Sequence, residues 1–173
     1  MEKSDSKICN TFNEKEVRLD IECKEYTERE ILEILYNATD GPNWYSNNKW
    51  LSNKPLSEWY GVQIHEDTNS KFIVKEINLV CNNLTGKIPK EIGKLINLKK
   101  IILSNNKLSE EIPKEIGKLI NLKHLWLNEN KLTGEIPKEI GKLINLDWLY
   151  LNENKLSEEI PKEINELKCR KKF

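Results

Sequence analysis

Enzymatic chemistry needs a nucleophile, a proton carrier or a set of metal ligands, and this chain offers few side chains of those kinds. It holds two histidines, His65 and His124, and four cysteines, Cys9, Cys23, Cys81 and Cys169. The histidines lie far apart, and neither stands in a Ser, Cys or Asp arrangement with catalytic spacing. The cysteines are widely and irregularly spaced, which resembles neither a disulfide framework nor a zinc site, so free thiols are expected. The sequence contains no Gly-rich phosphate loop and no nucleophile elbow. The expectation is a chain that is not an enzyme and has no catalytic residue, cofactor or metal site. What remains is non-covalent binding, and its strongest carriers are aromatic. His124, Trp126, Trp148 and Tyr150 fall in two short segments that match in pattern. Exposed Trp and Tyr anchor protein interfaces because they bury a large area with few rotors to freeze.

The elements that position these residues are repeats. The eleven residues IPKEIGKLINL occur three times unchanged, starting at Ile88, Ile112 and Ile136, a spacing of 24 residues. Aligned on that period, four units follow one another, 74–97, 98–121, 122–145 and 146–169, each opening apolar-x-x-apolar-x-apolar-x-x-Asn-x-Leu. The triplets Val74/Ile77/Leu79, Leu98/Ile101/Leu103, Leu122/Leu125/Leu127 and Leu146/Leu149/Leu151 end in a two-residue alternation, the inward face of a short strand. Stacking the units makes a parallel sheet. Asn82, Asn106, Asn130 and Asn154 fall where the chain turns inward, and a carboxamide there both donates to and accepts from backbone groups. They read as a structural ladder and not as a site. The Ile-Pro pair that follows argues against a long helix. The Lys-Glu-Ile-Gly-Lys-Leu segment then makes at most a short helical or 3₁₀ turn, with Gly93, Gly117 and Gly141 free to reverse the backbone. One repeat cannot bury enough apolar surface to fold alone, so stability must come from stacking and the ends need caps.

Because the segments on the outer side are identical and the strands are not, specific recognition is expected at the strands' outward positions. Three columns cross the sheet: Glu76, Lys100, His124 and Trp148; Asn78, Ile102, Trp126 and Tyr150; and Val80, Ser104, Asn128 and Asn152. The expected partner-binding set is Lys100, Ile102, His124, Trp126, Asn128, Trp148, Tyr150 and Asn152, edged by Glu129 and Glu153. The competing reading is that the aromatics only cover the strands through cross-strand contacts. Trp44, Trp50 and Trp59 are assigned to the core ahead of the repeats.

These residues resemble the plant-specific class of leucine-rich repeats, whose consensus runs LxxLxLxxNxLtGxIPxxIgxLxxL. The stretches NNLTGKIPKEIGKL at 82–95 and NKLTGEIPKEIGKL at 130–143 follow it most closely. EREILEILYNATDGPNW (28–44) and LSEWYGVQI (56–64) are similar to that family's N-terminal cap. The resemblance implies an α/β repeat solenoid: a leucine-rich-repeat horseshoe with a parallel β-sheet on the concave face, short 3₁₀ or irregular turns on the convex face and a helical N-terminal cap. It divides the chain into an extension without repeat register (1–25, expected to be disordered), a cap (26–73), the four repeats (74–169) and a basic tail (170–173). It also implies a non-enzymatic module for protein–protein interaction on the concave face. The alternative is a secreted or surface-displayed domain that binds a peptide or carbohydrate, with sugar rings stacked on Trp126 and Trp148. Secreted members carry C-x-W-x-G-V-x-C in the cap, whereas Ser57 and Ile64 take the cysteine positions around Trp59, Gly61 and Val62. A second departure puts Glu110 and Glu158 where Gly86 and Gly134 keep the consensus glycine, and the outer strand is expected to be irregular there.

Charge sets further bounds. Lys plus Arg and Asp plus Glu both number 28, so no global field attracts nucleic acid or an anionic membrane. No run reaches membrane-spanning length, and Met1 to Thr11 lacks a signal-peptide core. Lipidation motifs are absent at both ends. With the missing cap cysteines, these features give a cytoplasmic expectation, with secretion as the alternative if an export signal precedes this sequence. Glycosylation patterns at Asn37 and Asn83 matter only in that second case. The basic end, Lys168 to Phe173, is expected to be solvated, with contact to acidic surfaces or shielding of the last turn as alternatives, and a bare edge there to allow a weak homodimer.

Overall fold

A computed structural model describes residues 25–66, 68 and 70–173. The expected disordered extension lies outside the described residues except for Glu25. The chain enters through helix α1 (Glu28–Ala38). Thr27 and Glu30 close a reciprocal capping box there: Thr27 Oγ1 accepts from the Glu30 amide at 3.2 Å, and the Glu30 carboxylate accepts from the Thr27 amide at 2.7 Å. Ile31, Leu32, Leu35 and Tyr36 form its buried face. Against that face stand Trp44, Trp50 and Trp59, linked through ring centroids 4.9 to 5.1 Å apart from Tyr36 onward. Trp44 and Trp50 donate their indole N–H groups to the carbonyls of Thr39 and Tyr60. Arg29 covers Trp59 at 4.9 Å while donating to the carbonyls of Ser52 and Lys54. These rings are core, as the sequence assigned them.

β1 (Val62–Glu66) and β2 (Phe72–Asn78) pair antiparallel. From β2 onward the sheet is parallel, through β3 (Lys100–Ile102), β4 (His124–Trp126), β6 (Trp148–Tyr150) and β8 (Arg170–Lys172). β5 (Thr133–Gly134) and β7 (Lys155–Leu156) form a second, two-stranded sheet at the turn leaving the concave face. 3₁₀ turns at Lys90–Lys94, Lys114–Lys118 and Lys138–Lys142, then the short helix α2 (Lys162–Asn165), line the convex side. One continuous core runs between these layers, from Ile31 in α1 to Leu167 behind β8.

Each repeat turns inward on its asparagine. Asn106 donates to the carbonyls of Leu79, Leu103 and Ser104, and its carbonyl oxygen accepts from the amides of Asn82 and Leu84 at 3.0 and 2.9 Å. Asn130 and Asn154 make most of the corresponding bonds one and two repeats later, accepting from the Leu108 and Leu132 amides, while the amides of Asn106 and Asn130 donate to the Glu129 and Glu153 carbonyls. Asn82, at the start of the array, exchanges bonds with the Ser46 backbone and joins the repeats to the preceding loop.

Three expectations are corrected. Gly93, Gly117 and Gly141 do not reverse the backbone; they are absent from the positive-φ residues. Their missing Cβ makes room for the next repeat, because a methyl group on Gly93 would collide with the Glu115 carbonyl, and one on Gly117 with that of Glu139. The outer ladder is not broken at Glu110, whereas Glu158 does not share the positive φ of its glycine equivalents. Glu110 adopts φ 63°, like Gly86 at 71° and Gly134 at 79°, and its carbonyl accepts from Thr133 at 2.9 Å. The tail expected to be solvated is a strand, as the alternative of shielding the last turn requires. Arg170 lies opposite Trp148 and Lys172 opposite Tyr150, 22 residues on, where earlier strands step by 24. The shortened last unit brings a chain end that has backbone groups to pair into the sheet. Lys171 occupies the inward position held by Leu149 in β6, and its ammonium donates to the carbonyls of Asn165 and Leu167. β8 is the last strand of the described sheet, and Arg170 and Lys172 hold its outward positions.

Two outcomes follow for stability. Asn130→Ala strands several backbone groups and should cost about 3 kcal/mol in urea unfolding, whereas exposed Lys131→Ala should stay within about 0.5 kcal/mol. Glu110→Gly removes a side chain from the left-handed region and should raise stability by about 1 kcal/mol.

Candidate functional site

The outward positions of β3, β4, β6 and β8 fall in register. Lys100, His124, Trp148 and Arg170 form one row, and Ile102, Trp126, Tyr150 and Lys172 the next. Four rings make a closed group on β4 and β6. His124 and Tyr150 both stack on Trp126, at 5.8 and 5.6 Å between centroids. Trp148 meets His124 and Tyr150 edge to face, at 6.4 and 5.7 Å. Offset stacks and edge-to-face contacts are the favoured arrangements of aromatic quadrupoles. All four rings are partly exposed.

β8 completes the group. The Arg170 guanidinium lies over Trp148 at 4.7 Å and the Lys172 ammonium over Tyr150 at 5.3 Å. Sequence reasoning missed both cations, because a strict 24-residue period puts Lys172, not Arg170, in register with Trp148. The available signal was the alternation at the chain end, with Arg170 and Lys172 flanking an inward Lys171.

The other expected residues divide. Lys100 is half-exposed and bound to Glu76 at 2.9 Å. Ile102 is only 8% exposed, so it supports the surface without being an open contact; short side chains on a concave face lie below the tips of taller neighbours, as Ser104 also does. Asn128 donates to Glu129, whose carboxylate also accepts from Asn105 at 2.6 Å. Glu153 is exposed at the equivalent turn. Trp126 Nε1 and Asn152 Oδ1 are buried with no protein partner. His65 stands on β1, away from this group. Among the described residues, no cluster of His, Cys, Asp and Glu could hold a metal ion, and no helix is long and apolar enough to cross a membrane. Cys81 and Cys169 are free thiols.

The leucine rich repeat family matches residues 74–95 and 96–156. This chain is a leucine-rich-repeat protein of the plant type. The BIR2 ectodomain of Arabidopsis thaliana is similar to it over 84% of this chain and 77% of its own, at 29% identity and a TM-score of 0.74. The PEPR1–AtPEP1 structure is similar over 81% of this chain and 20% of its own, at 28% identity and a TM-score of 0.71. The ectodomain of the Arabidopsis thaliana receptor kinase GASSHO1/SCHENGEN3, in complex with CASPARIAN STRIP INTEGRITY FACTOR 2, is similar over 84% and 20%, at 26% identity and a TM-score of 0.64. No curated protein sequence matches the chain. The leucine-rich-repeat protein is a non-enzymatic recognition module. Its ectodomain neighbours do not support the cytoplasmic expectation and favour an extracellular or secreted setting.

His124 gives the site a measurable titration. Partial burial holds its pKa below the ordinary value of about 6.5, with Lys100 and Lys123 pushing the same way and Asp147 and Glu76 opposing. A lowered histidine pKa means that the unfolded chain takes the proton first, so the folded state loses stability as pH falls through that range. NMR should place the His124 midpoint below about 6.5. Indole fluorescence should change with that midpoint in the wild type and not in His124→Gln, since the imidazole stacks on Trp126.

Proposed function

We propose that the leucine-rich-repeat protein binds a protein or peptide partner on its concave face, through Trp126, Trp148, Tyr150 and His124. The observation that carries this reading is the closed group of four partly exposed rings on β4 and β6, on the surface where the repeats differ most from one another. Aromatic groups of this kind are where interface energy concentrates. The neighbours add support: PEPR1 is paired with AtPEP1, and the GASSHO1/SCHENGEN3 ectodomain is in complex with CASPARIAN STRIP INTEGRITY FACTOR 2. The extracellular setting of receptor ectodomains supports a partner met outside the cell.

The ring geometry favours a peptide over a sugar. A sugar ring stacks on an aromatic face that is free to receive it. Here Trp126 is stacked by His124 and Tyr150, Trp148 is covered by Arg170, and Tyr150 by Lys172. The exposed parts of the partly exposed rings suit a peptide's side chains.

The test is affinity capture from secreted and cell-lysate fractions with wild-type protein beside Trp126→Ala and Tyr150→Ala. Each variant should stay folded by circular dichroism and weaken partner binding by about 2 kcal/mol or more. Equal capture by all three proteins removes the concave-face reading.

A further inference from the structure

The charge around the ring group is unbalanced in one direction. Arg170 and Lys172 are exposed, and each is held over a ring by β8. Among the described residues, neither makes a salt bridge; the ion pair on this face joins Lys100 to Glu76. The carboxylates nearby are engaged or displaced. Glu76 is taken by Lys100, and Glu129 accepts from Asn105 and Asn128. Asp147, just before β6, is the nearest carboxylate: its backbone carbonyl accepts from the Arg170 amide and its charge acts on His124, yet its side chain makes no salt bridge to either cation, and Glu153 stands beyond β6. The two rows therefore end, at the edge of the sheet, in two cations without a carboxylate partner.

Those cations are pre-positioned. Contact with a ring face limits where each head group can go, and less freedom is then lost when a ligand arrives. A guanidinium offers paired donors to a carboxylate, and an ammonium a point charge beside it. Aromatic edges carry the positive side of the ring quadrupole and also favour an anionic neighbour. Two free cations match one or two carboxylates. With 28 basic and 28 acidic residues in the whole chain, there is no field of the strength that a polyanion requires.

We propose that the ring group and β8 together recognise an extended acidic peptide segment, with an aromatic or apolar side chain against Trp126 and Tyr150 and adjacent Asp or Glu carboxylates at Arg170 and Lys172. The proposal rests on the concave-face reading and names the ligand chemistry that this face selects. It also gives the terminal strand a role in binding: Lys171 faces inward to close the core, and its two neighbours face outward to hold the ligand.

The test uses a random-peptide phage library selected against the folded full chain, followed by affinity measurement on synthetic copies of the enriched peptides. Enriched peptides should pair an aromatic or apolar residue with Asp or Glu. Their affinity should fall about ten-fold in Arg170→Gln/Lys172→Gln. It should fall again as salt approaches about 1 M, where screening shortens to about 3 Å. A charge exchange separates lost contact from lost folding: Arg170→Glu/Lys172→Glu should bind poorly to the acidic peptide and recover binding to a copy with Lys in place of its carboxylates. Failure to enrich acidic peptides, or acidic peptides indifferent to Arg170→Gln/Lys172→Gln, overturns the proposal. If the enriched peptides are neutral or basic yet are lost in Trp126→Ala, the concave-face reading survives without it. If they bind Trp126→Ala and Tyr150→Ala as well as the wild type, both readings fall.

Discussion

The structure depends on how a chain can leave a buried strand without stranding its backbone. After each concave strand the main chain turns into the core, where its amides and carbonyls are out of reach of both water and the sheet ladder. One asparagine per repeat meets that demand. Asn106, for example, donates to carbonyls at Leu79 and Leu103 and accepts from amides at Asn82 and Leu84, and so ties two successive turns together. A carboxamide, with two donors and one accepting oxygen, does this without adding charge to the interior. The repeat length follows from it, because the next asparagine must arrive at the same place in the following turn.

The opposite side obeys a complementary constraint. If the strands are spaced by hydrogen bonding, the convex turns must approach just as closely, and a glycine in each 3₁₀ turn allows it. The methyl group that an alanine would add at Gly93 or Gly117 falls on the carbonyl of the neighbouring turn. Identical convex sequences thus reflect a packing rule that each repeat must satisfy, while the outward strand positions are released from it. Divergence collects where the fold tolerates it, and the ring group stands on that permissive surface.

How far this was legible from sequence depended on whether a position obeys the period. The inward leucines, the asparagines and the outward columns all follow from a strict repeat, so the sheet and the neighbours of Trp126 could be written down in advance. Exposure could not. Ile102 occupies an outward position but is shaded, because curvature and the length of neighbouring side chains decide exposure, and neither appears in a pattern of apolar letters. Periodicity also misled at the glycines, where a turning role was expected and close approach was found. At Glu110, a non-glycine residue keeps the left-handed conformation of its glycine equivalents: the ladder to Thr133 holds the backbone there despite the side chain.

The chain end shows why the least periodic segment matters most to the site. In β8 the inward position that β6 fills with Leu149 is taken by Lys171, whose ammonium donates to the Asn165 and Leu167 carbonyls. Strand alternation then sends Arg170 and Lys172 the other way, onto Trp148 and Tyr150. The alternation that turns Lys171 inward therefore also fixes two cations beside the aromatic group. Neither consequence was visible from the repeat, because the last unit reaches this arrangement only by being two residues shorter than the others.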